Sequence, residues 1–387
     1  MIDYELTQNE KKLQQDLATF CQREIAPAAA GLDQAPRKEV GVLVRKNIEK
    51  LANAGFLAVG FEDNTIDMIC QYIAAEEIAK VCASTFFSAR ASAFLCGGLI
   101  SLYGTAQQKE KYLESLKLAK VIGAFAYTEP GAGSDISGIE TTAGSQGYAW
   151  LINGVKDTVT NAPIADMFLV LAYTDINAGP EKGLSLFIVE KDTAGLSIGE
   201  PLDTMGMRGV PIAQVELNQC KSGQILGGEP GKGFMQLSRI LEMGRVSIAG
   251  MCVGIGSACM EKATQHAKTR KAFGREIGKY QEVGFKLADM YTNNDLGRAL
   301  ALRAAWAFNT EENEAEILAS CAKVFAGEGL SKIANLAMQV FAGHGYIKGA
   351  DIERLFRDAK IGEVIEGTTE VQRMLIAKSE LDKFAQA

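Results

Sequence analysis

The sequence predicts an α+β chain in the order helix, sheet, helix, on three observations. Over residues 5–118 apolar positions recur at intervals of three and four, as in LQQDLATFCQREI and ICQYIAAEEIAKV, the period of an amphipathic helix. Over 119–230 the pattern becomes short β-rich runs, VIGAFAYTE, AWLINGVKDTVT, MFLVLAYT, LSLFIVEK and AQVELN, separated by turns rather than by helices. From 231 to 387 helical periods return in FMQLSRILEMGRVSIAG, EVGFKLADMYTNNDLGRALALRAAWAF and EAEILASCAKVFAGEGLSKIANLAMQVFAG.

These patterns divide the chain into an N-terminal α-helical domain (1–118), a middle antiparallel β-barrel or sandwich domain (119–230) and a C-terminal four-helix bundle (231–387). Turns between the middle runs join neighbouring strands, so the sheet is expected to be largely antiparallel. Asn153–Gly154 is the strongest short hairpin signal in it. In the last unit the uncharged run 246–260, rich in Gly, Ala, Ser and Cys, is too short to span a bilayer and reads as a buried core helix.

Composition narrows the function. With 387 residues, 47% hydrophobic and 22% charged, the chain supports large cores, and nothing in it predicts disorder. A net charge of −7 argues against a broad nucleic-acid surface. The start, MIDYELTQNEKK, lacks a basic segment followed by an apolar one, so a cytoplasmic location is the expectation. No two of the eight cysteines are spaced as CxxC and there are two histidines, which disfavours a metal site and a nucleophilic triad. GAGSDISG (131–138) is not GxGxxG, since Ile136 takes the third glycine's place, and GGEPGKG (227–233) puts Gly233 where a phosphate loop needs Ser or Thr. Neither a dinucleotide fold nor a P-loop is supported.

Four segments remain, each with an ordinary reading beside a functional one. TEPGAGSD (128–135) is either a surface loop or a run of exposed backbone N–H groups, flanked by Thr128 and Ser134, suited to a ligand's acceptors. TRKAFGREI (269–277) is a solvated helix end or a cationic site. QVFAGHGY (339–346) is a helix cap or a binding turn. Glu366, after Val364 and Ile365 and before Gly367, is a helix-start acid or a desolvated base.

In this order and spacing, the segments make the chain resemble the acyl-CoA dehydrogenases over nearly its whole length. YGTAQQKEKYL (103–113), AYTEPGAGSD, INGVKDTVTNA, MGMRG and TRKAFGREIGKYQ carry the resemblance, together with the long signature from Gln339 to Lys378. It implies bound FAD, a homo-oligomer, expected as a tetramer built from two dimers, and electron-transfer flavoprotein as oxidant. The implied reaction converts an acyl-CoA thioester to its trans-2-enoyl-CoA: a carboxylate removes the α-proton while the β-hydride passes to flavin N5. Glu366 matches the family's base, since the alternative base position of one branch is Gly244 here. The same likeness assigns Tyr127, Thr128, Gly133, Ser134, Thr160, Thr368 and Glu370 to FAD. Arg270, Phe273, Gln281, Gln339 and Gly343 would meet FAD across a subunit boundary. Ser134, Arg245 and Gly367 are expected on the substrate side.

Two departures bear on the chemistry. Thr158 stands where the family usually has an aromatic covering the flavin, and GFEDNTIDM replaces a Pro- and Gly-rich loop before the helix at 66–80. Arg90, in the segment STFFSARASAFLCGG that lines the family's acyl pocket, either binds the distal carboxylate of a dicarboxylic acyl-CoA or pairs with Glu76 or Glu77. The aromatic and small residues around it otherwise suit a short, branched or cyclic acyl chain. Thr158 leaves an acyl-CoA oxidase or a carrier-protein-linked acyl dehydrogenase as the second reading. A nucleic-acid-binding flavoprotein is the third, disfavoured by the acidic charge and the lack of a basic C-terminal region.

Overall fold

The computed structural model describes residues 6–62, 65–147 and 149–385, and it has the predicted order of layers. Asp63 and Asn64 of the shortened loop lie outside the described residues. The N-terminal helices are α1 (Gln8–Phe20), α2 (Arg37–Asn53), α3 (Met68–Arg90) and α4 (Gly98–Tyr103). Helix α1 starts at a capping box: Thr7 Oγ1 accepts the Glu10 N–H at 3.3 Å, and Glu10 returns to the Thr7 N–H at 2.6 Å. Asp67 caps α3 by accepting from Ile69 and Cys70. Between α3 and α4 the chain continues as π-helix over Ala91–Gly97, where small residues permit the wider turn. Arg90 therefore ends the α-helical part, where the helix widens.

The middle unit is one curled sheet of eight strands: β1 (Gly123–Ala126), β2 (Thr142–Gln146), β3 (Ala149–Thr160), β4 (Met167–Tyr173), β5 (Leu184–Glu190), β6 (Leu196–Ile198), β7 (Ile212–Ser222) and β8 (Gln224–Ile225). Their order is β8-β5-β4-β2-β3-β7-β6, with β1 also on β4. The ladder is antiparallel except where β4 pairs with β1 and, at one position, with β2. Both faces of β4 are buried. Phe168, Val170 and Ala172 pack inside the sheet, while Met167, Leu169 and Leu171 join the core shared with the helices.

Asn153–Gly154 is not a hairpin, and β3 runs straight through it. The register against β7 shifts between Ile152 and Gly154, and Asn153 Oδ1 accepts from the backbone and side chain of Gln219. Gly154 (φ 155°) lies so close to Thr141 that a Cβ would collide with its hydroxyl. Here the pair makes a bulge, the other use of a flexible Asn-Gly step.

The C-terminal helices are α5 (Gly233–Thr269), α6 (Gln281–Asn309), α7 (Ala315–Phe341), α8 (Asp351–Ala359) and α9 (Thr369–Ala385). Residues 246–260 are the buried middle of α5, apart from the half-buried Met260. By length and composition the stretches Met68–Tyr103 and Gly233–Thr269 could cross a membrane, but the most apolar 18-residue window of each is 89% buried within the protein, as in the core helices of a globular fold. Asn161, wholly buried at a left-handed φ of 67°, ties the layers together: its amide donates to the Ser88 and Gly123 carbonyls, fixing α3 against β1 and β3 beside Arg90.

Candidate active site

A cavity of about 310 Å³ opens where the π-helical turn after α3, the end of β3 and the segment before α9 meet. From the first element come Phe87, Arg90, Ala91 and Leu95; from the sheet Phe125, Tyr127, Thr128, Gly133, Ser134, Asp157, Thr158 and Thr160; from the last segment Val364 to Thr368. Of the expected FAD and substrate residues, Tyr127, Thr128, Gly133, Ser134, Thr160, Glu366, Gly367, Thr368 and Arg90 share this one space. Hydroxyls and backbone lie along one wall and apolar side chains along another.

Glu366 is 7% exposed and sits at φ 56°, left-handed for a residue with a side chain, followed by Gly367 at φ 81°. Such backbone persists only where its surroundings hold it. Gln372, wholly buried on α9, donates to the Glu366 carbonyl at 3.1 Å. From α7 the buried Lys323 Nζ donates to the Gly367 carbonyl at 2.7 Å and to that of Glu363 at 3.1 Å. The carboxylate is thus aimed into the cavity by three backbone carbonyls anchored to two helices. Its Oε2 has no hydrogen-bond partner among the described residues.

Arg90 does not pair with Glu76 or Glu77. Its Nη2 lies 2.9 Å from Glu366 Oε1, and both side chains are almost completely buried. Glu76 is engaged by Arg298 and Tyr72, and Glu77 by Gln14. Arg90 stacks over the Phe94 ring at 5.3 Å; Nη2 meets Glu366 as an ion pair without hydrogen-bond alignment, and Nε makes no hydrogen bond among the described residues. Gly244 on α5 leaves the room for this pair, since a Cβ there would stand 2.5 Å from Arg90 Nη2 and 2.7 Å from Glu366 Oε2. Burial first, and the Glu366 charge second, push the Tyr127 phenol up to about 12, so it stays a donor at neutral pH.

The loop 128–141 is held from below by a buried pair. Lys156 Nζ lies 2.6 Å from Glu129 Oε1, and Glu129 also accepts the Glu140 and Thr141 N–H groups. Thr158, exposed at φ 51° in a second irregularity of β3, lines the cavity. A β-branched residue in that conformation is an outlier of the kind found at functional sites.

Other expected residues stand elsewhere. Arg245 is not among the residues lining the cavity; its Nη1 donates to Ser320 on α7 at 3.2 Å. Glu370 is exposed on the first turn of α9, outside the lining. Arg270, Phe273, Gln281, Gln339 and Gly343 are all exposed, Phe273 by 97%. The last turns of α5 and α7 adjoin, with His266 stacked on Phe341 at 4.3 Å, so Arg270 follows one of these helix ends and Gln339 and Gly343 lie at the other. Lys323 and Gln372 were missed from sequence, because nothing in a helical period marks which polar residue reaches a distant loop.

Comparisons with known proteins show the family. Residues 7–118, 124–220 and 231–381 match the N-terminal, middle and C-terminal domains of acyl-CoA dehydrogenase. The chain is 38% identical to a 3-(aryl)acrylate reductase of Clostridium sporogenes, over 95% of this chain and 97% of that one. It is 37% identical to a probable acyl-CoA dehydrogenase of Bacillus subtilis, over 97% and 99%. The solved butyryl-CoA dehydrogenase of Megasphaera elsdenii superposes with a TM-score of 0.90 at 31% identity, covering 98% of this chain and all of that one.

Proposed function

The chain belongs to the acyl-CoA dehydrogenase family, and on that premise we propose that it removes the α-proton of an acyl-CoA thioester with Glu366, giving the 2-enoyl-CoA. The observation that carries the reading is Glu366 itself: a buried carboxylate with one oxygen unpartnered, held in left-handed backbone at the wall of the cavity. FAD is the cofactor, and when bound it takes the β-hydrogen as hydride and returns the electrons to an acceptor, here electron-transfer flavoprotein. The cavity fits it. Tyr127, Thr128, Ser134 and Thr160 offer hydroxyls and backbone groups to a flat polar ring system, and Thr368 closes the other side.

The chain's own groups do the rest. Phe87, Leu95, Phe125 and Ile365 exclude water from the reacting carbons and from the carboxylate. Gln372 and Lys323 keep the carboxylate aimed, so that little reorganisation is needed as the proton moves. Arg90 spends Nη2 on Glu366, and its Nε, without a hydrogen bond among the described residues, favours a short acyl chain ending in an acceptor such as a second carboxylate. The exposed set around Arg270 and Phe273 supports a homo-oligomer in which a second subunit completes the FAD site; a tetramer of two dimers, in the cytoplasm, is the form we propose.

Anaerobic mixing with straight, branched, cyclic and dicarboxylic CoA thioesters, followed by flavin absorbance, tests this. Glu366→Gln should keep FAD and bind acyl-CoA but lose bleaching by more than about a thousandfold, the upper part of what a general base supplies. Bleaching at the wild-type rate would defeat the assignment. A preference for dicarboxylic esters should vanish in Arg90→Ala.

A further inference from the structure

Lys323 helps to aim the base without reaching the cavity, and its surroundings are unusual for a lysine. It is fully buried in the middle of α7, and the contacts its ammonium makes are with backbone carbonyls, those of Glu363 and Gly367. These two carbonyls bracket the base: Glu363 closes the short helical turn before it and Gly367 follows it. The turn is also pressed onto α7, where a Cβ on Gly327 would stand 2.6 Å from the Gly362 carbonyl. A second polar group, the Gln372 amide, holds the carbonyl between them.

We propose that Lys323 is a positioning residue for proton abstraction, its ammonium clamping the base-bearing turn through the Glu363 and Gly367 carbonyls and setting a positive charge behind Glu366. The inference rests on the reading of Glu366 as base. Two charge-assisted bonds stiffen a left-handed turn that its own backbone does not favour. The ammonium also offsets charge on the carboxylate without touching the cavity, so it competes with neither substrate nor flavin.

The clamp depends on the proton it carries. Burial pushes the Lys323 ammonium down to about 8, against the opposing pull of Glu366 and Glu370, while Arg245 works in the same direction as burial. The charged and titratable groups facing it are Cys252 and Arg245 from α5 and Glu363, Glu366 and Glu370 from the C-terminal segment, with Arg90 beyond Glu366. Cys252 is pushed up to about 12 by burial, so it stays neutral across the working range. Above about pH 8 the neutral amine makes weaker bonds and supplies no charge.

The test reads α-proton exchange of an acyl-CoA in D2O by the flavin-loaded enzyme, from pH 6.5 to 9, beside flavin content and the Kd for that acyl-CoA. Wild type is expected to lose exchange above about pH 8. Lys323→Met, which keeps the stem, should retain FAD and a Kd within about threefold but exchange at least about tenfold more slowly, without the alkaline fall. Lys323→Arg, charged at every pH, should recover rate and hold it past pH 9. Wild-type exchange that stays level from pH 7 to 9, or a Lys323→Met enzyme that exchanges at the wild-type rate, overturns the proposal. If Lys323→Met does not fold, the wild-type profile and Lys323→Arg decide it. Glu366→Gln in the same assay separates the two readings: full exchange there removes the base, whereas lost exchange there with wild-type exchange in Lys323→Met removes only the clamp.

Discussion

Gly244 carries no functional group, yet the arrangement of Arg90 and Glu366 depends on it. Both charged ends stand within 2.7 Å of where its Cβ would be, so Gly244→Ala must displace the guanidinium or the carboxylate. Overpacking a buried site costs about 1–3 kcal/mol. Alanine regains about 1 kcal/mol in helix propensity, so the net loss of stability is small. The expected outcome is therefore an enzyme that melts within a few degrees of wild type with full FAD, but whose flavin is bleached at least about tenfold more slowly by a good substrate. Unchanged bleaching would show that the pair is incidental. Sequence alone pointed to Gly244 as a position that cannot be a base. It did not reveal that the missing side chain makes room for an arginine, because residues 90, 244 and 366 meet only in the folded chain. The left-handed φ of Glu366 was equally hidden, since glycine marks such backbone in a sequence and here glycine comes one residue later.

At the scale of elements, the loop 128–141 is supported by a pair that crosses from β3. Glu129 and Lys156 are both buried, and burial pushes the Lys156 ammonium down to about 8 in spite of its partner. Glu129→Gln would leave that ammonium without a counter-charge, a change that costs about 3–5 kcal/mol when a buried pair is broken. Urea unfolding at pH 7 should show that loss together with weaker FAD retention, and Glu129→Gln with Lys156→Met should recover much of it. A wild-type midpoint for Glu129→Gln would refute the support. The order of helices and strands was legible because burial imposes a period on every long element: 3.6 in α3, α5 and α7, and near-continuous apolar runs in β4 and β5. Irregular points were not legible. Asn153–Gly154 has two conformational uses, and pairing with β7 selected the bulge. The π-helical stretch 91–97 shows only as small residues around Phe94 and Leu95, a pattern shared by any tightly packed helix.

The whole molecule responds to pH through groups that lie mostly outside the cavity. All eight cysteines are free thiols, and the pKa of each is raised above the ordinary thiol value of 9.0, burial being the main cause. Below pH 9 both states keep the thiol protons and the full stability is present; as pH climbs past 9 the unfolded chain releases thiol protons that the folded one retains. Unfolding is then favoured by about 1.4 kcal/mol per pH unit for each thiol. Lys156 and Lys323 act in the opposite sense. Both are lowered from 10.5 to about 8, so between those values the unfolded chain binds more protons and stability rises with pH. Two lysines work alone from about pH 8 to 9, and eight thiols outweigh them above it. Denaturation midpoints measured with a reductant present should accordingly hold or rise slightly from pH 7.5 to 8.5 and fall steeply above 9. A midpoint level to pH 10 would contradict the burial of the thiols. The ordering also separates two losses that a single activity profile would merge: if Lys323 clamps the base, exchange fails near pH 8 in a protein that is still at its most stable, about one unit before the fold itself gives way.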